Sequence, residues 1–190
     1  VPRRRPISHV AGFDDAPFLK NHRGNVPVVG AVFAGARLDG VLTGRVRRDG
    51  ASSAREIARM IQQSRFEPQI QLVMLQGIAL AGFNVVDVFA LSAALDRPVL
   101  VVARHEPDMT SIRDALLNKV PGGRRKWQLI ERLGPMEPCG GIWVQRVGID
   151  AGETAEVIAR LSTHSNIPEP LRTAHIIAGG LANGESRGRV

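Results

Sequence analysis

The 190-residue sequence predicts a mixed α/β sheet, an antiparallel three-stranded meander followed by parallel strands, with helices on both faces. Three observations carry that prediction. Apolar, β-branched runs recur three times within the first 48 residues, separated by turn residues. Beyond residue 52, buried strands alternate with helical periodicities, a pattern that requires right-handed crossovers and parallel strands. The chain is 44% hydrophobic and 23% charged, enough apolar material for one substantial core. Residues 1–190 are therefore expected to form a single domain, with the basic residues 1–7 as a flexible N-terminus.

The first strand is predicted over 8–14 (SHVAGFD), the second over 27–35 (PVVGAVFAG) and the third over 38–48 (LDGVLTGRVRR). The tight Gly-containing connection between the last two marks a hairpin. A helix follows over 52–66, capped by Ser52 or Ser53, with Ile57, Met60 and Ile61 forming an apolar stripe. QLVMLQGI (71–78) reads as a buried strand, 84–95 as a helix, RPVLVVAR (97–104) as a second buried strand and 109–119 as a helix. Residues 122–133 form a further helix carrying a basic cluster. Trp143 lies in a peripheral strand, and helices over 153–163 and 169–182 close the chain. Met60, Leu91 and Trp143 are expected in the core.

Composition narrows the function. No apolar run is long enough to cross a bilayer, and VPRRRPISHV lacks the apolar segment of a secretory signal. The one cysteine, Cys139, excludes an internal disulfide framework and reads as an inert loop thiol in a reducing cytoplasm. A net charge of +7, nearly all of it arginine, favours a phosphate-rich partner. With 6 Phe, 2 Trp and no Tyr, an aromatic platform for single strands is not expected. No pattern speaks to oligomeric state.

Three places could carry chemistry. GFDDAPF ends the first strand on adjacent carboxylates, Asp14 and Asp15. They are either a solvated turn or ligands for a divalent cation. VRRDG ends the third strand on Asp49, which could converge with Asp14 at one sheet edge or simply close a polar hairpin. The segment after Gln76 (Gly77, Ile78, Leu80, Ala81, Gly82, Phe83, Asn84) joins a buried strand to a helix and is a candidate cradle for a base. Asn84 could meet a base edge or cap the helix. It matches neither the dinucleotide fingerprint nor the Walker pattern. Beside these, His175 in PEPLRTAHIIAGG falls next to apolar positions, where a lone histidine is usually structural.

GFDDAPF, VPVVGAVFAG, VRRDG, MIQQSRF, QGIALAGFNVVDV, PVLVVAR and PEPLRTAHIIAGG, in that order, resemble the endonuclease dU family, which is related to endonuclease V. The resemblance covers about residues 8–189 and is most specific at AGFNVVD. It implies a ribonuclease H-like fold and a cytoplasmic, DNA-associated repair endonuclease that uses Mg²⁺ or Mn²⁺ and cuts at uracil in DNA. It implies Asp14 and Asp49 as metal ligands, Asp15 as an auxiliary acid and His175 as a polar residue near the metal. Gln76 stands where the relatives of endonuclease V have an aspartate, and the aromatic-proline wedge of endonuclease V is missing before VRRDG. Arg47, Arg48, Arg104, Arg124, Arg125 and Lys126 are the expected contacts to the nucleic-acid backbone.

Overall fold

A computed structural model describes residues 6–186. Residues 1–5 of the expected flexible N-terminus lie outside the described residues. Ile7, by contrast, is buried in the core, and Arg160 donates to its carbonyl.

Strands β1 (His9–Asp15), β2 (Asn25–Ala34) and β3 (Arg37–Arg47) form the antiparallel meander. Helix α1 (Ser53–Gln62) crosses back to β4 (Leu72–Gln76), which pairs parallel with β1. A two-residue hairpin of β5 (Ala79–Leu80) and β6 (Asn84–Val85) precedes α2 (Val88–Leu95) and β7 (Val99–Ala103), which is parallel to β4. The helices α3 (Met109–Lys119) and α4 (Gly123–Leu133) pack on each other. The short β8 (Glu137–Cys139) and β9 (Ile142–Val147) then add an antiparallel edge, before α5 (Ala151–Leu161) and α6 (Glu169–Asn183). The seven-stranded sheet runs β3-β2-β1-β4-β7-β9-β8.

Strand alternation sorts the sheet's two faces. Phe13, Val73 and Leu75 join Ile57, Met60, Ile61 and Leu91 in a core on the α1 and α2 side. Val10, Leu72, Met74 and Leu100 meet Val157, Ile158 and Leu171 on the α5 side, where α6 also enters. Trp143 is only half-buried and belongs to neither cluster, because it sits on the peripheral β9 between Ala103 and Pro138. Helix 84–95 begins four residues later than expected. Residues 79–85 close the small hairpin first, and Asp87 caps α2 by accepting from the Ala90 amide.

One glycine sets the position of α6. A Cβ on Gly12 would lie 2.5 Å from the Pro170 carbonyl carbon and 2.8 Å from the Leu171 nitrogen. The first turn of α6 therefore lies directly on the backbone of β1, two residues before the carboxylate pair.

Candidate active site at the end of β1

Adjacent strand residues project to opposite faces, so the carboxylate pair is divided between the two sides of the sheet. Asp14 points to the α6 side. It is 5% exposed, and its Oδ2 lies 2.8 Å from Nδ1 of His175. Its Oδ1 accepts the Asp15 amide at 2.9 Å. Each carboxylate oxygen keeps a lone pair after these contacts. The hydrogen bond to Asp14 holds the His175 imidazole above its ordinary pKa, against the opposing effect of burial.

Asp15 points to the opposite side, where the Ala81 amide faces it. Burial, reinforced by the neighbouring Asp14 charge, pushes its carboxyl up to about 6. The native state therefore holds a proton on Asp15 over a pH range in which the unfolded chain has lost it. Ionising Asp15 weakens the fold as pH rises from about 4 to above about 6. In chelator, Asp15→Asn is expected to be more stable than wild type at pH 7 by on the order of 2 kcal/mol, with the two proteins converging below about pH 4. Parallel thermal melts across that range measure the difference, and equal pH profiles would contradict it.

Gln76 occupies the position on β4 next to the Leu75 that pairs with Phe13, just as Asp14 follows Phe13 on β1. It thus shares the α6 face with Asp14. Its Oε1 is buried with no hydrogen-bond partner among the described residues. A buried acceptor left unpaired is unusual and invites a ligand.

Asp49 follows β3 in the left-handed region, at φ 52°. Its Oδ1 accepts the Phe83 amide at 2.8 Å, and its own amide donates to the Ala81 carbonyl at 3.0 Å. Its Oδ2 lies 3.2 Å from Arg48 Nε. Asp49 is thus held against the 81–83 turn, on the side that Asp15 faces, with its Oδ2 turned to Arg48. Gly82 belongs to this turn because its φ is +82°, and a Cβ would lie 2.5 Å from Asp49 Oδ1.

The residues of the expected base cradle differ in exposure. Leu80, Ala81 and Asn84 are fully buried, the first two in the core. Asn84 Oδ1 accepts the amides of Ser52 and Ser53 at the start of α1, and its side-chain amide donates to the Arg47 carbonyl. It caps a helix, but a different one from the helix expected. Gly82 is exposed, whereas Gly77, Ile78 and Phe83 are half-buried.

Two of the six basic candidates are structural. Lys126 is 5% exposed, and its Nζ donates to the Asp49 carbonyl at 2.5 Å. It lies four residues before the buried Ile130, so its place on the apolar stripe of α4 was legible in the spacing. Arg48 Nη1 donates to the carbonyls of Lys20 and His22. Arg47, Arg104, Arg124 and Arg125 are exposed. Sequence reasoning missed the 16–24 segment, whose Lys20, His22 and Arg23 line a cleft of about 420 Å³ with Arg47, Arg48 and Asp49.

Among the described residues there is no cluster of three or more His, Cys, Asp or Glu arranged to hold a metal ion. The donors at the end of β1 are instead one buried carboxylate and one unpartnered amide oxygen, both hard ligands suited to Mg²⁺ or Mn²⁺. No helix among the described residues is long and apolar enough to cross a membrane.

This mixed sheet, with an acidic residue at the end of its first strand and a polar side chain supplied by the last helix, has the ribonuclease H-like fold seen in endonuclease V. In a crystal structure, endonuclease V of Ciona intestinalis, bound to a 24-mer DNA containing an inosine followed by a ribo-adenosine, aligns with a TM-score of 0.55 and 14% identity, covering 88% of this chain and 82% of that one. The chain belongs to the endonuclease dU family, whose model matches residues 6–182. A UPF0215 protein of Deinococcus radiodurans is 53% identical over 190 residues, covering 100% of this chain and 97% of that protein. The crystal structure of a protein of unknown function from Archaeoglobus fulgidus aligns with a TM-score of 0.85 at 29% identity, covering 92% of this chain and 98% of that one.

Proposed function

We propose that this protein is a divalent-metal-dependent endonuclease that hydrolyses the DNA backbone at or beside deoxyuridine. The observation that carries the reading is the contact between buried Asp14 and half-buried His175 at the end of β1, in a chain of the endonuclease dU family. Asp14 and the Gln76 amide oxygen would hold Mg²⁺ or Mn²⁺, which when bound supplies charge stabilisation for the phosphodiester and a more acidic water. Asp14 also orients the imidazole of His175. The second ring nitrogen of His175 has no hydrogen-bond partner among the described residues, and its raised pKa suits it to protonate the departing oxygen. Arg47, Arg124 and Arg125 are exposed cations available to phosphates.

The test is cleavage of a labelled uracil-containing duplex by purified protein with Mg²⁺ or Mn²⁺, alongside a chelated control. Nicking that requires the metal supports the reading. Release of free uracil, or cutting that survives chelator, overturns it, and binding without cutting would mark a non-catalytic nucleic-acid module.

Gln76 gives a second check. A carboxylate in place of the neutral amide adds charge to the same position, so Gln76→Asp is expected to bind Mn²⁺ more tightly, by roughly tenfold or about 1.4 kcal/mol. Calorimetric titration of both proteins decides it. Equal affinities would remove Gln76 from the metal's surroundings.

A further inference from the structure

We infer that the turn between β1 and β2, residues 19–23, is a docking element for duplex DNA, in which Leu19 enters the base stack while Lys20, Arg23 and Arg47 grip backbone phosphates. The inference takes its substrate class from the nuclease reading above.

Leu19 is the most exposed large apolar residue among the described residues, at 76%. A single exposed leucine is ordinary on a protein surface. This one is unusual in its mounting. The His22 amide donates to the Leu19 carbonyl at 2.9 Å, closing a β-turn with Lys20 and Asn21 at its corner. Arg48 clamps the turn from beneath through the Lys20 and His22 carbonyls, and its guanidinium lies 5.4 Å from the centre of the Phe18 ring. Phe18 in turn packs against the main core. Leu19 is thus presented on a fixed turn, four residues after Asp15.

Its surroundings specify the partner. Lys20, Arg23 and Arg47 are exposed and pair with no carboxylate among the described residues. They line one cleft whose single acid, Asp49, is already engaged by Arg48 and the Phe83 amide. Three unpaired cations lining a cleft beside the turn that carries an exposed leucine match a polyanion with an apolar interior, which is what a stacked duplex offers. None of the chain's aromatic side chains is exposed among the described residues, so single-strand stacking has no platform here.

The test uses the full chain in chelator, so that binding is read without chemistry. The probe is a duplex containing one deoxyuridine, with 2-aminopurine beside it to report unstacking. Lys20→Ala/Arg23→Ala/Arg47→Ala is expected to flatten the dependence of log affinity on log salt by about 0.9 per lost phosphate contact, hence by about two to three in all. Leu19→Ala is expected to keep the wild-type salt slope and lose the 2-aminopurine fluorescence rise. All four side chains are exposed, so unchanged melting temperatures are expected to confirm intact folding. An unchanged slope in the triple variant, a full fluorescence rise in Leu19→Ala, or tighter binding of the matching single strand overturns the inference. A wild-type protein that gives these binding results but never cuts in Mg²⁺ or Mn²⁺ supports the docking element and overturns the nuclease reading alone.

Discussion

Asp14→Asn is expected to lower metal-dependent cleavage by about three orders of magnitude or more while leaving the fold intact. The amide keeps the size of the carboxylate, and its oxygen can still accept from His175 Nδ1. What it loses is the charge that attracts a divalent ion and holds the imidazole above its ordinary pKa. The His175 resonances should therefore titrate at lower pH in the variant, a readout that needs no turnover. Asp49→Asn, which retains an acceptor for the Phe83 amide, tests whether Asp49 shares the metal, and a comparable loss would place it there. Near-normal cutting by Asp14→Asn would move the metal away from the end of β1.

Gly12→Ala is expected to produce the largest loss of stability of any single methyl addition to the sheet. The new Cβ would meet backbone atoms of Pro170 and Leu171, which cannot rotate aside as a flexible side chain would. A destabilisation of about 3 kcal/mol would lower the melting temperature by roughly 6–12 °C in a domain of this size. Any relief must come from α6 lifting off β1, and that carries His175 away from Asp14. Cleavage should fall at temperatures where the variant is still folded. Wild-type stability with wild-type cutting would mean that α6 has slack at this contact.

The large periodicities of the sequence translated directly into structure. The meander, the parallel pair β4 and β7, and the helices over 109–119 and 169–183 follow from alternation and apolar stripes long enough to be read. Three features were too short or too distant to read. The two-residue strands β5 and β6 carry no period, so an apolar GIALAGFN segment looked like an open loop when it was a folded hairpin. Asn84 caps α1 from 31 residues away, a contact that no local pattern announces. The Asp14–His175 pair spans 161 positions, and only the family resemblance put both residues in one place. The opposite outlook of Asp14 and Asp15, by contrast, was implicit in strand alternation, once β1 is carried one residue beyond the predicted end.

That 161-residue span also governs when the protein can become active. A ribosome delivers β1 early, but the imidazole emerges only after α5 has been made and the last helix has begun. Contacts of such long sequence separation close late in folding, after the sheet that supports them. A stalled or truncated product ending before α6 would carry the acidic strand without its partner, and would also lack the helix that covers Gly12. On the nuclease reading, a fragment ending before α6 is expected not to cut DNA, because the contact between Asp14 and His175 is missing from it.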